Sequence, residues 1–191
     1  GDINPFVDAD YNKWAETIKT NYLGAVFLAM ETVPKMIKNG GKIIQLSGGG
    51  ATSPRPNMTA YASAKTAIVR FMETLAVELE QYNVDVNCVS PGIMPTRLVD
   101  ELIDHPLTSE EDKKLLSSIS KNTGFDKAVG LIEFLASDES DGITGKLISA
   151  QWDRWDLFKD HIEEIKKSNA YTLRRITGKD CGFEWDNVGD M

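Results

Sequence analysis

One feature restricts the fold of this 191-residue chain more than any other: short β-branched runs alternate with long helical patterns. From Asp10 onward apolar residues return every three or four positions, at Trp14, Ile18, Tyr22, Ala25 and Ala29, which predicts a helix over 10–38. Asp8 or Asp10 can cap it, Pro34 kinks its last turn, and Asn39-Gly40-Gly41 ends it. Lys42 to Ser47 reads as a buried strand, stopped by Gly48-Gly49-Gly50. A second helix is expected over 59–82, apolar on nearly every side and so covered on more than one face. Val84 to Val89 is the next strand, ending at Pro91-Gly92. A third helix follows over 126–136, and Lys146 to Ala150 is the last strand. Strands separated by helices run parallel, so the fold class is α/β, a doubly wound parallel sheet with helices on both faces.

Two segments break the alternation. Residues 97–123 are polar, with short helical pieces at Leu98–Ile103 and Glu110–Ile119 separated by Pro106, and read as a mobile segment hung over a site. The tail, 151–191, carries Trp152, Trp155 and Trp185, an amphipathic helix over Leu157–Lys167, and glycines at 178, 182 and 189. The expected organisation is therefore a unit over 1–150 and a tail over 151–191. With 41% hydrophobic residues there is apolar material for one core. No apolar run approaches the roughly 20 residues of a membrane span. The cysteines, Cys88 and Cys181, offer neither a disulfide framework nor zinc spacing, and no metal site is expected. A net charge of −8 does not favour nucleic acid. With no leader pattern in the sequence, a cytoplasmic protein is expected, without membrane or nucleic-acid partners.

The chemistry concentrates in Tyr61-Ala62-Ser63-Ala64-Lys65. Residues i and i+4 share a helix face, so the Tyr61 hydroxyl and the Lys65 ammonium can address one small volume. A phenol titrates near 10, and a neighbouring positive charge lowers that value. Such a phenol can exchange a proton with a substrate oxygen. The same spacing also occurs on solvated helices, so its setting matters. The pair follows a strand ending in Ser47 and glycines. It precedes a strand ending in Pro91-Gly92, with Thr96 four residues beyond. Upstream lies Thr20-Asn21-Tyr22-Leu23-Gly24, and downstream Phe134-Leu135-Ala136-Ser137-Asp138 and Ile143-Thr144-Gly145-Lys146.

In this order and spacing, over about residues 1–150, these elements resemble the classical short-chain dehydrogenase/reductase family. The resemblance implies a Rossmann-like sheet and binding of NAD or NADP, with no preference readable. It implies Tyr61 as general acid/base, and Lys65 lowering its pKa and holding the nicotinamide ribose. Asn21 would keep a water in a proton relay ending at Lys65. Its other reading is a buried Asn satisfying a helix kink. Pro91, Gly92 and the backbone of Ile93 would flank the nicotinamide, and Thr96 would contact the cofactor. The segment 97–123 would be the substrate lid. The two long helices would pair subunits into a homodimer or homotetramer.

The chain departs from the family in two places. The family serine that holds the substrate oxygen lies thirteen residues before the tyrosine, where this chain has Gly48. Ser47 is one position early, and a one-residue offset within a strand reverses the side chain. Either the strand has ended and Ser47 turns inward, or the role is empty, with Ser53 a more distant substitute. The second departure is the family's glycine-rich phosphate turn between its first strand and helix, which has no counterpart here. Gly1 falls about where the residue after the family's Asn-Asn-Ala-Gly segment would stand, so the sheet is expected to be incomplete at its N-terminal side by roughly 80–100 residues. The functional expectation is an oxidoreductase interconverting a carbonyl and an alcohol. The alternative is a truncated, inactive fragment or paralogue with a structural or assembly role. An isomerase or dehydratase on the same Tyr and Lys is a further reading.

Overall fold

The computed structural model describes residues 3–122 and 125–186. Gly1, residue 123 at the end of the lid segment, and Gly189 of the tail lie outside the described residues. Helices α1 (Tyr11–Ile18), α2 (Gly24–Met36), α3 (Thr59–Leu79), α4 (Arg97–Asp104), α5 (Glu110–Asn122), α6 (Asp126–Ala136) and α7 (Ile162–Lys167) surround strands β1 (Gly41–Leu46), β2 (Val84–Ser90) and β3 (Lys146–Ser149). The strands form a parallel sheet in the order β1-β2-β3, with Gly41 opposite Val84 and Asn87 opposite Lys146. This is the Rossmann-like α/β arrangement, and each crossover is helical.

The expected first helix is not continuous. It starts under the Asp10 cap, whose carboxylate accepts from the Lys13 N–H at 2.9 Å, and widens into a π turn over Lys19–Leu23. The Asn21 amide donates to the Thr17 carbonyl at 3.1 Å, so its side chain bonds within the widened turn, where an Asn is a poor α-helix former. The helix then runs through Pro34 to Met36.

Two apolar layers hold the sheet. On one side, α3 lays Ala64, Ile68, Met72 and Ala76 against Val84, Val86 and Cys88. The small residues of that stripe let the helix approach closely. On the other side, Leu131 and Leu135 of α6 meet Val89 and Ile148, joined by Phe158 and Ile165 from the tail. Asn87, buried within β2, donates to the Ile143 carbonyl at 2.6 Å and accepts from the Lys146 N–H at 3.1 Å, which fixes the entry into β3. At the opposite end from the catalytic candidates, Lys42 bridges Asp85 at 2.7 Å and Asp141 at 2.6 Å.

The tail is tied to the body by polar contacts of buried and half-buried groups. Glu73, in the middle of α3, accepts the Leu173 N–H at 2.6 Å, while Arg70 donates to the Leu173 carbonyl. Arg70 also lies 2.8 Å from the second Glu73 oxygen, an ion contact without hydrogen-bond geometry. The Lys146 ammonium donates to the carbonyls of Ser168 and Ala170. Leu147 N–H reaches the Tyr171 carbonyl at 2.7 Å, and Ser149 N–H reaches Asp153 at 2.7 Å. The expected tail helix is shorter than its pattern, because a 3-10 turn over Trp155–Asp160 precedes α7. Trp155 packs beside Phe134 and donates to the Ala150 carbonyl, whereas Trp152 is exposed. Replacing Glu73 with Ala leaves the Leu173 N–H unsatisfied. The expected cost is about 1–3 kcal/mol, with faster proteolytic cleavage between residues 168 and 175 than in the wild type. Denaturant unfolding and limited proteolysis check both.

Candidate active site

The carboxyl ends of the parallel strands gather most of the predicted residues, as expected for an open α/β sheet. Ser47 follows β1, Pro91-Gly92-Ile93 follow β2, and the first turns of α3 bring Tyr61 and Lys65 over the end of β1. The Trp14 indole donates to the Thr59 hydroxyl at 3.1 Å, which anchors the start of α3 to α1. Thr66 closes the adjoining loop by donating to the Ala62 carbonyl at 2.9 Å and lying near the Gly50 and Ala51 carbonyls.

Lys65 reaches the Leu46 carbonyl at 3.4 Å, and its Nζ stands 5.6 Å from the Tyr61 ring centre. That is one long bond for an ammonium with three donors, so donor capacity remains for a hydroxylated ligand. Burial lowers the Lys65 pKa and, more strongly for the reading of the site, raises that of Tyr61. The charge that opposes the rise in Tyr61 is that of Arg55, not Lys65. Arg55 therefore joins Lys65, whose ammonium faces the Tyr61 ring, among the positive groups around the phenol. Beneath Lys65, burial pushes the Cys88 thiol up to about 12, so it is an inert packing group.

The serine question has a geometric answer. β1 ends at Leu46, and Ser47 is 5% exposed, with its N–H on the Val89 carbonyl at 2.8 Å and its hydroxyl toward the Lys65 carbonyl at 3.4 Å. The residue beside the tyrosine is Gly48, where a Cβ would lie 2.7 Å from the Tyr61 oxygen. Its φ of 174° is ordinary extended backbone, so the phenol, not the backbone, demands glycine there. Ser53 lines a shallow groove with Thr52, Pro54 and Ala62 that neither Tyr61 nor Lys65 borders. Asn21 stays in the π turn, which packs on α3 through the Tyr22–Phe71 edge contact at 6.3 Å. Gly92 needs its φ of 88°, and a Cβ there would strike Gln151 at 2.5 Å. Thr96 stands at the N-terminus of α4, its carbonyl accepting from Val99 while its hydroxyl makes no capping bond. Among the described residues no group of His, Cys, Asp and Glu could hold a metal ion, and no helix is long and apolar enough to cross a membrane.

A profile of the family described as enoyl-(acyl carrier protein) reductase matches residues 2–151. This chain belongs to the short-chain dehydrogenase/reductase family. It is 32% identical over 151 residues to dehydrogenase/reductase SDR family member 4 of Sus scrofa, covering 76% of this chain and 54% of that protein. It is 31% identical over 136 residues to a 3-oxoacyl-(acyl-carrier-protein) reductase of Thermotoga maritima, covering 71% of this chain and 54% of that one. Among solved structures, an NAD+-bound xylitol dehydrogenase superposes with a TM-score of 0.68 at 27% identity, over 78% of this chain and 63% of its own. A gluconate 5-dehydrogenase of Burkholderia cenocepacia, in complex with NADP and tartrate, shares the fold with a TM-score of 0.68 at 23% identity, over 76% of this chain and 57% of its own. The chain thus spans about half the length of the curated relatives it matches. In this short-chain dehydrogenase/reductase, sequence reasoning overlooked Arg55. Its signal was the pairing of a lone Arg between Pro54 and Pro56 with the three glycines upstream.

Space at Gly48 governs the phenol. Gly48→Ala is expected to push Tyr61 out of its enclosed position and bring its pKa down toward the ordinary value. The ultraviolet absorbance of tyrosinate during a pH titration, against Tyr61→Phe, reads this shift.

Proposed function

We propose that the protein carrying this chain is an NAD- or NADP-dependent oxidoreductase that interconverts a carbonyl and an alcohol. The observation that carries the reading is the placement of Tyr61 and Lys65, one helical turn apart, over the carboxyl end of β1. The names of the relatives support it, since several are dehydrogenases or reductases and two solved neighbours hold NAD+ or NADP.

The residues present fit the nicotinamide and ribose half of such a cofactor. Lys65 retains donors for ribose hydroxyls, and Pro91, Gly92 and Ile93 offer half-buried backbone beside them. Thr96 has a hydroxyl not spent on capping its helix. When bound, the cofactor supplies the hydride acceptor or donor. The chain's own residues handle the proton. In the reductive direction the Tyr61 hydroxyl donates its proton to the substrate oxygen. In the oxidative direction the phenolate accepts it. Lys65 and Arg55 both oppose the negative charge that gathers on the phenol oxygen as it gives up the proton. Asn21 would hold a water in line with Lys65, in keeping with the family resemblance. The segment 97–123 would be the cover of the substrate, in keeping with the family resemblance. Small-molecule substrates are the proposed partners.

Self-association is part of the same reading. Phe27, Leu28 and Met30 on α2 and Val77 on α3 are each more than half exposed, an apolar set suited to pairing with a second copy as a homodimer or homotetramer. Sedimentation showing only monomer at high concentration would count against it.

Tyr61→Phe is expected to lower kcat by about 10²–10⁴-fold, while cofactor binding survives. Because burial holds the Tyr61 pKa above its ordinary value, reduction should be flat through neutral pH. It should fall only as the phenol ionises at alkaline pH, and oxidation should rise there. Steady-state kinetics in both directions and titration with NADH and NADPH test the reading. Full turnover by Tyr61→Phe would defeat the tyrosine mechanism.

A further inference from the structure

Gly48 stands thirteen residues before Tyr61, and the space over the glycine run is filled in an instructive way. Each of the three glycines after β1 is overlain by one of two side chains. A Cβ on Gly48 would meet the Tyr61 oxygen at 2.7 Å, one on Gly50 the Tyr61 ring at 3.2 Å, and one on Gly49 the Arg55 Nη2 at 2.6 Å. Tyr61 and Arg55 therefore lie against consecutive peptides of one turn. The Arg55 backbone is restrained by Pro54 and Pro56 on either side, and its carbonyl accepts from Met58 N–H at 3.1 Å. The residue is exposed, and no carboxylate pairs with its guanidinium among the described residues. An unpaired guanidinium lying over this turn is a fork for a planar oxyanion.

We propose that Arg55 is the substrate-recognition residue of this site, its guanidinium over Gly49 taking the carboxylate or phosphate of a molecule whose reacting carbon faces Tyr61. The inference rests on the oxidoreductase reading for the reaction, but the anion contact itself does not need turnover. It makes the substrate class an anionic alcohol or carbonyl compound, not a neutral polyol or a simple ketone. Arg55 supplies the positive donor at the place where Ser47 has turned away to the Lys65 carbonyl. The same charge is the one that acts on the phenol.

Arginine-directed labelling of the full chain with phenylglyoxal, followed by peptide mapping, separates these roles. Glycerate and glycerol 3-phosphate are the carboxylate and phosphate probes, with glycerol as their uncharged counterpart. Protection of Arg55 by either anion is expected to be saturable, slowing its labelling about tenfold at ten times the dissociation constant, with none from glycerol. Whichever anion protects at lower concentration identifies the group. Tyr61→Phe should keep this protection. Gly49→Ala, whose Cβ would lie 2.6 Å from Nη2 and displace the guanidinium, should weaken it while Arg55 still labels. In turnover, Arg55→Met should erase at least about a tenfold preference in kcat/KM for an anionic substrate over its neutral analogue. Labelling of Arg55 that neither anion slows would overturn the proposal, whatever Tyr61 does. Persistent protection together with undiminished turnover by Tyr61→Phe would instead sink the tyrosine mechanism and leave Arg55 in place.

Discussion

The seating of α3 on the sheet is the contact on which the rest of the molecule depends. Ala60, Ala64, Ile68, Met72 and Ala76 form its buried stripe, and the alanines bring the helix axis close to β2. That closeness delivers Lys65 to the Leu46 carbonyl and Tyr61 to the glycines beyond Ser47. A bulkier stripe would lift the first turns of α3 and separate the phenol from the strand end. The same helix carries Glu73, which receives the tail at Leu173. One packed surface thus sets both the position of Tyr61 and the attachment of the tail at Leu173, and the dispersion contacts along it are spread over many atoms.

Burial sets the electrostatics of the Tyr61 and Lys65 pair. Both groups are half-buried, and burial disfavours the charged form of each: it raises the phenol and lowers the ammonium. Burial thus favours the neutral phenol of Tyr61. The compensating charge comes from a loop residue, Arg55, whose approach depends on Gly49 having no side chain. The glycine run is therefore a spatial device for two neighbours. None of its three members has a left-handed φ.

Much of this could be read from residues alone. The strands at Lys42, Val84 and Lys146, and the helices at 59 and 126, declare themselves through short β-branched runs and three-to-four-residue periodicity, which are local properties. Tyr61 and Lys65 are four apart in one helix, so their shared face follows from helical geometry. A helix irregularity at Asn21 was legible, but its form as a π turn over Lys19–Leu23 rests on backbone pairing that no residue pattern specifies. The side-chain direction of Ser47 was open until the end of β1 was fixed. The Glu73–Leu173 and Lys146–Ser168 contacts join residues far apart in sequence, and no local pattern announces them. Arg55 escaped for the same reason: its role comes from what lies beneath it.

The tail contacts also give the sheet a direction. The two N–H groups of β3 that point away from β2, those of Leu147 and Ser149, are already taken by the Tyr171 carbonyl and the Asp153 carboxylate. A strand arriving there would have to break both bonds before making its own. β1 carries no such guard on its side away from β2, since its described ladder partner is β2 alone. The 151–186 segment thus spends the free donors of the β3 margin and disfavours edge-to-edge pairing there.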